Sequence, residues 1–250
     1  MKTIRISLLL LVMAVYSSCQ KKHKQQPLSV QVTSLVDITD PRAVMPDAET
    51  ILSCFDFTND KDKEAFFRLT TTTDKLLNPV SENHLASGYE TEKDNQFDDP
   101  DYRKKLVLSF YSGIRECVNK FNTKSQHDSI LRYSECFRSI ASELVRMKEN
   151  KADKSLLLVY SDLCENSDLF SVYKKTATEQ LLKHPDSVLQ KFESTGLLPE
   201  DLSHFTVTII FQPRSRDQDR LFNAMAELYK RMLSNRRAKV IIGSDNPKYL

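Results

Sequence analysis

Glycine is the residue that this sequence most clearly lacks, with only four in 250 residues. They are spread along the chain at Gly88, Gly113, Gly196 and Gly243. Motifs such as GxGxxG, GxxxxGKS/T and GxSxG need glycine where the backbone turns tightly or approaches a phosphate. The sequence therefore carries no dinucleotide fingerprint, no P-loop and no nucleophile elbow.

Clustered metal-binding motifs and long apolar runs are also missing from the sequence. The five histidines are scattered without HExxH spacing and no cysteines form a CxxC pair, so we expect no zinc site. No apolar run reaches the ~20 residues that a membrane-spanning helix needs. Hydrophobic residues make up 40% of the chain and charged residues 28%. This composition predicts a folded domain with a well-solvated surface.

The N-terminal residues have the order of a secretory signal. Lys2 and Arg5 precede the apolar run 8–15, and small residues then lead into Cys19. Residues 16–19 (Tyr-Ser-Ser-Cys) resemble the lipobox of bacterial lipoproteins, in which the cysteine is acylated and becomes the new N-terminus. The resemblance implies a palmitate-type lipid anchor at Cys19 and a place in the bacterial cell envelope, on a periplasmic or surface face. An ordinary signal peptide cut just before the cysteine is the alternative.

This interpretation divides the chain into a signal peptide (1–18), a lipidated tether (19–27) and one domain (28–250). The tether is polar and has no apolar periodicity, which is typical of a flexible linker. Loss of the signal removes two of the 36 basic residues, and 36 − 2 = 34 equals the number of acidic residues. A chain without net positive charge gives no reason to expect a nucleic-acid partner.

From residue 28 onward the pattern alternates between strands and helices. Residues 78–101 are polar and interrupted by Pro79, Gly88 and Pro100, and we predict an irregular segment there. The continuous apolar run 155–160 is typical of a strand buried on both faces of a parallel sheet. The later alternation predicts an α/β fold with a doubly wound, mostly parallel sheet and helices on both faces, Rossmann-like in type. Apolar runs predict strands over 28–36, 65–73, 155–160, 206–211 and 239–242, and apolar periodicity predicts helices over 46–55, 102–121, 134–148, 176–183, 185–193 and 218–233.

Polar residues follow two of these predicted strands, where ligands bind in open α/β sheets. Asp37 and Thr39 follow the first strand, and Ser161 and Asp162 follow the run 155–160. Here the chain resembles the von Willebrand factor A family, a doubly wound sheet whose first strand ends in DxSxS or DxTxS. A later strand of that family ends in an aspartate, and a loop serine or threonine completes a divalent-cation site.

The resemblance implies four cation ligands in this chain. Asp37 and Thr39 match the first two motif positions, Asp162 matches the late aspartate, and Ser134 matches the loop hydroxyl. Pro41 stands where the last serine of the motif belongs, and proline has no hydroxyl to contribute. Carboxylates and hydroxyls are the hard oxygen ligands that Mg²⁺ or Mn²⁺ takes. In the alternative interpretation the same side chains cap turns and helices without a metal.

These features predict a binding protein without catalytic residues. We expect a membrane-anchored lipoprotein whose von Willebrand A-like domain binds a protein partner, with Mg²⁺ or Mn²⁺ as the candidate cofactor. One alternative is a metal-dependent hydrolase in which the same acids activate water. Another is a structural component of an envelope secretion or conjugation complex with a degenerate metal site.

Overall fold

The computed structural model describes residues 28–39, 44–58, 61–72, 80–125 and 134–245. The predicted signal peptide, Cys19, the tether and Pro41 lie outside these residues. Within the described part of the chain, no helix has both the length and the apolar character of a membrane span.

Six strands and seven helices make up the described part of the chain. The strands are β1 (Ser29–Asp37), β2 (Glu64–Thr72), β3 (Val80–Leu85), β4 (Lys154–Tyr160), β5 (Phe205–Ile210) and β6 (Lys239–Gly243). The helices are α1 (Ala48–Ser53), α2 (Gly88–Lys93), α3 (Tyr102–Ser125), α4 (Cys136–Glu149), α5 (Lys175–Lys183), α6 (Pro185–Glu193) and α7 (Arg216–Ser234).

The strands form one sheet in the order β3-β2-β1-β4-β5-β6. β1 pairs in parallel with β2 and β4, β5 pairs in parallel with β4 and β6, and β3 runs antiparallel at the edge. The chain first adds β2 and β3 on one side of β1 and then returns to add β4, β5 and β6 on its other side. The strand order therefore reverses between β1 and β4. The prediction of a Rossmann-like α/β fold with a mostly parallel sheet is confirmed.

Alternate side chains of the central strands enter two separate hydrophobic clusters, one on each face of the sheet. On one face Val32 and Val36 of β1 pack with Leu158 of β4 and with α1 and α3. On the other face Leu35 packs with Leu157 and with α4, α6 and α7. Both faces of β1 and β4 are thus covered, which explains why residues 155–160 are apolar without alternation.

Polar contacts fix α4 across the sheet. Arg146 on α4 donates to the hydroxyl of Thr33 on β1 at 2.9 Å. The guanidinium of Arg68 on β2 donates to Glu143 of the same helix at 3.0 Å. These contacts orient α4 so that its N-terminus lies at the end of β1.

In the described part of the polar segment 78–101, the predicted secondary structure is wrong. This segment contains β3 and α2 rather than irregular structure only. β3 (VSENHL) lies at the sheet edge and exposes most of its side chains, so its sequence carries no apolar alternation. Helix α2 has six residues, too few to show an apolar periodicity.

Candidate functional site

Asp37 lies at the carboxyl end of β1, and its side chain is only 3% exposed. In the pairing of β1 with β4, Val36 is opposite Tyr160, so Asp37 and Ser161 are the next residues in register. Leu35 and Asp37 point to the same sheet face because they are two residues apart. This places the Asp37 carboxylate on the face that α4 covers.

Five hydrogen bonds from four residues end on the Asp37 carboxylate. Its Oδ1 accepts from the backbone N–H of Thr39 at 3.0 Å and from the Thr39 hydroxyl at 2.6 Å. Its Oδ2 accepts from the hydroxyls of Ser134 at 3.2 Å and Ser161 at 2.9 Å, and from the Cys136 thiol at 3.3 Å. The ends of β1 and β4 and the start of α4 therefore meet at one carboxylate.

Residues 161–174, which follow β4, form a site loop that covers this cluster. The Ser161 hydroxyl accepts from the N–H of Leu163 at 2.9 Å while it donates to Asp37. Asn166 pairs with Ser134 through two backbone hydrogen bonds of 2.9 and 3.3 Å. Leu163 is fully buried with a φ of 58°, a left-handed conformation that a bulky side chain rarely adopts. The site loop is therefore held in a strained turn by its contacts with the cluster.

The structure brings three of the four predicted ligand residues together. Asp37, Thr39 and Ser134 are joined by the hydrogen bonds given above. Asp162 uses its Oδ1 to accept from the N–H of Cys164 at 2.8 Å, as in an Asx turn. The side chain that reaches Asp37 from this segment is Ser161.

Three residues of the site, Ser161, Cys136 and Glu165, were not among the predicted ligands, and the sequence carries a usable signal for two of them. Leu157 and Val159 face the same side of β4 as Ser161, so strand alternation places Ser161, not Asp162, next to Asp37. Cys136 follows Ser134 by two residues at the helix start, which keeps it near Asp37. Glu165 carried no such signal, because its complete burial depends on how the site loop folds.

Cys136 is not placed to act as a nucleophile. Its side chain is 1% exposed, and its Sγ lies 3.1 Å from the Ser134 hydroxyl. Burial raises the pKa of the Cys136 thiol well above its usual range, and the nearby carboxylates of Asp37 and Glu165 raise it further. The thiolate, which is the nucleophilic form, is therefore disfavoured.

The donor set is suitable for a hard cation, but the hydrogen bonds already satisfy the carboxylate. An ionised carboxylate offers about four lone-pair sites, and Asp37 accepts five hydrogen bonds. A cation at Asp37 would have to displace hydroxyl or thiol donors. In the described ranges, no three His, Cys, Asp or Glu side chains are grouped as metal ligands. The cation therefore stays a prediction.

The rim of the site carries one large exposed aromatic side chain, Tyr173, in the site loop. It is 71% exposed. Partial burial raises the pKa of Tyr173, and the charges of Cys164, Asp162 and Asp37 add to this effect. Tyr173 is therefore a solvent-exposed ring in the loop that covers the Asp37 cluster.

Comparisons with known proteins give no assignment for this chain. No protein-family model matches the sequence, and no curated protein matches it significantly.

Proposed function

We propose that this protein is a lipoprotein of the bacterial cell envelope whose von Willebrand A-like domain binds a protein partner at the carboxyl edge of the sheet. One observation carries the proposal. Side chains from the end of β1, the start of α4 and the end of β4 converge on the buried carboxylate of Asp37. These are the three chain regions to which the family resemblance assigns its ligand site.

Burial of the candidate nucleophiles favours binding over hydrolysis. Ser134, Cys136 and Ser161 are 4%, 1% and 3% exposed. Each donates a hydrogen bond to Asp37 from a buried position. None of them therefore faces a space in which a substrate carbonyl or phosphoryl group could be attacked. Such a cluster shapes the surrounding loops, and these loops then form the contact surface.

Tyr173 is the residue we assign to the centre of that contact surface. Tyrosine is enriched among the residues that dominate binding energy at protein interfaces, because a rigid ring buries much area at low entropic cost. Its neighbours in the site loop are fixed by backbone hydrogen bonds, including Val172 N–H to Glu165 at 3.0 Å. The ring is thus presented from a preorganised loop, which lowers the cost of binding.

The membrane part of the proposal rests on Cys19. Diacylation of the cysteine thiol would give a stable anchor, whereas a single acyl chain gives only reversible membrane binding. The polar tether 19–27 would then leave the domain free to meet its partner in the aqueous phase.

Site-specific photo-crosslinking in cells tests the proposed partner site. A photoreactive amino acid replaces Tyr173 in one strain and Tyr89 in a control strain. Tyr89 is 54% exposed on α2, which follows β3 near the opposite edge of the sheet. We expect a discrete protein adduct from position 173 and not from position 89. Equal adducts at both positions, or none at position 173, would contradict the proposal.

The same experiment separates the alternatives. We expect the position-173 adduct to form equally in Mg²⁺ and in EDTA, because protein donors already satisfy Asp37. Loss of the adduct in EDTA would instead support the predicted cation site at Asp37, Thr39, Ser134 and Asp162. A crosslinked subunit of a secretion or conjugation machine would identify the protein as a structural component of that complex.

A further inference from the structure

Glu165 in the site loop is a completely buried carboxyl group, with 0% of its surface exposed. Its Oε2 accepts from the N–H of Phe137 at 2.8 Å, in the first turn of α4. Its Oε1 has no hydrogen-bond partner. This carboxyl group thus links the site loop to α4, the helix that supplies Cys136, and one of its two oxygens makes no hydrogen bond.

A second buried polar atom without a partner belongs to α7. The hydroxyl of Tyr229 on α7 is buried and makes no hydrogen bond. Burial raises the pKa of Tyr229, and the charge of Glu165 is the largest electrostatic contribution after it. Because Oε1 of Glu165 has no donor, an ionised Glu165 would carry a buried charge that no hydrogen bond satisfies at that oxygen.

The ionisable groups that face Glu165 from the surrounding elements are acids. Asp37 comes from β1, Glu135 precedes α4, Cys136 begins α4, and Tyr229 comes from α7. Burial raises the pKa of Glu165 to about 7, the Ser167 hydroxyl and the Phe137 N–H oppose this shift, and Glu135 and Asp37 increase it. A negative charge on Glu165 is therefore buried among groups that repel it.

We propose that Glu165 is a pH-sensitive latch. The protonated carboxyl group keeps the site loop closed over Asp37, and ionisation favours an open loop that exposes Cys136. The strained turn at Leu163 assists the opening because release of the loop relieves it. That the latch also regulates partner binding rests on the proposed function, but the opening itself does not.

The direction of the pH effect follows from proton linkage. In the open loop Glu165 is solvated and titrates near its ordinary value of 4.5, whereas in the closed loop it titrates near 7. The closed form therefore binds more protons between these two values. The stabilisation that protonation of Glu165 gives to the closed form is complete below about pH 4.5 and falls as the pH rises to about 7. Above about pH 7 the balance between the closed and open forms no longer changes with pH. Between about pH 4.5 and 7 the open population rises by up to about tenfold per pH unit.

Alkylation of Cys136 measures the opening directly. The full chain is pulsed with N-ethylmaleimide at several pH values, and the modified cysteines are quantified by peptide mass spectrometry. Half-buried Cys117 on α3 is the internal reference, because both thiols titrate well above the working pH and their thiolate fractions rise together. We expect the ratio of Cys136 alkylation to Cys117 alkylation to rise by up to about tenfold per pH unit between about pH 5.5 and 7. Above about pH 7 this ratio should level off.

Two variants make the test specific. In Glu165→Gln the amide oxygen can still accept from the N–H of Phe137 and the side chain carries no charge at any pH, so we expect a low ratio at every pH. Glu149→Gln at the exposed end of α4 is the matched control and should retain the wild-type profile. A flat wild-type profile, or an equal rise in Glu165→Gln, would overturn the latch. If Glu165→Gln fails to fold, infrared titration of the wild-type protein decides, because the protonated-carboxyl band must disappear with a midpoint near pH 7.

Discussion

At Asp37 a charged side chain is buried at the end of a strand, where an unpaired carboxylate would destabilise the fold by several kcal/mol. Hydroxyl and thiol donors from Thr39, Ser134, Cys136 and Ser161 remove this penalty. The donors come from three segments: the turn after β1, the start of α4 and the end of β4. The charge therefore fixes the relative positions of segments that are far apart in sequence.

Replacement of Asp37 by asparagine should lower the free energy of unfolding by about 1–3 kcal/mol. The amide keeps the shape of the side chain but offers one acceptor oxygen instead of two, and its NH₂ group faces donors. Thermal or urea denaturation measures the change. Glu227→Gln on the exposed surface of α7 is the control and should stay within about 0.5 kcal/mol of the wild type. An Asp37→Asn variant as stable as this control would show that the five hydrogen bonds do not hold the site together.

Among the elements, those with a strong hydrophobic pattern could be predicted from sequence. The apolar run of β4 indicated a central strand, and the structure pairs it with β1 and β5. The resemblance to the von Willebrand factor A family also implied that Asp37, Thr39 and Ser134 share one site, and hydrogen bonds join them in the structure. β3 could not be found, because an exposed edge strand needs no apolar face. Glu165 could not be found either, since its burial is created by contacts between α4, α7 and the site loop.

Leu157 tests the central position of β4. The side chain is 0% exposed and packs between the sheet and α4, so Leu157→Ala should remove about 2–5 kcal/mol of stability. Chemical denaturation measures this loss, and the m-value of the variant should equal that of the wild type. Lys154→Ala at the exposed first position of the same strand should have little effect. A Leu157→Ala variant that loses less than about 1 kcal/mol would be inconsistent with a packed face there.

For the whole molecule, the lipid anchor that we propose would determine where the domain works. A Cys19→Ser variant has no thiol to acylate, so we expect it to move from the membrane fraction to the soluble fraction of lysed cells. Cys117→Ser leaves the lipobox unchanged and should remain with the membranes. Membrane sedimentation of Cys19→Ser equal to that of the wild type would contradict the lipoprotein proposal.

The direction of β1 sets how far the binding surface stands from the bilayer in the lipid-anchored protein that we propose. β1 begins at Ser29, next to the tether, and ends eight residues later at Asp37, a span of about 26 Å. A fully extended tether of residues 19–27 adds up to about 30 Å. The end of β1 that follows the proposed tether and the Asp37 cluster are thus at opposite ends of one strand. The partner must reach the cluster from the aqueous compartment, and a longer tether would widen the volume searched without altering the contact surface.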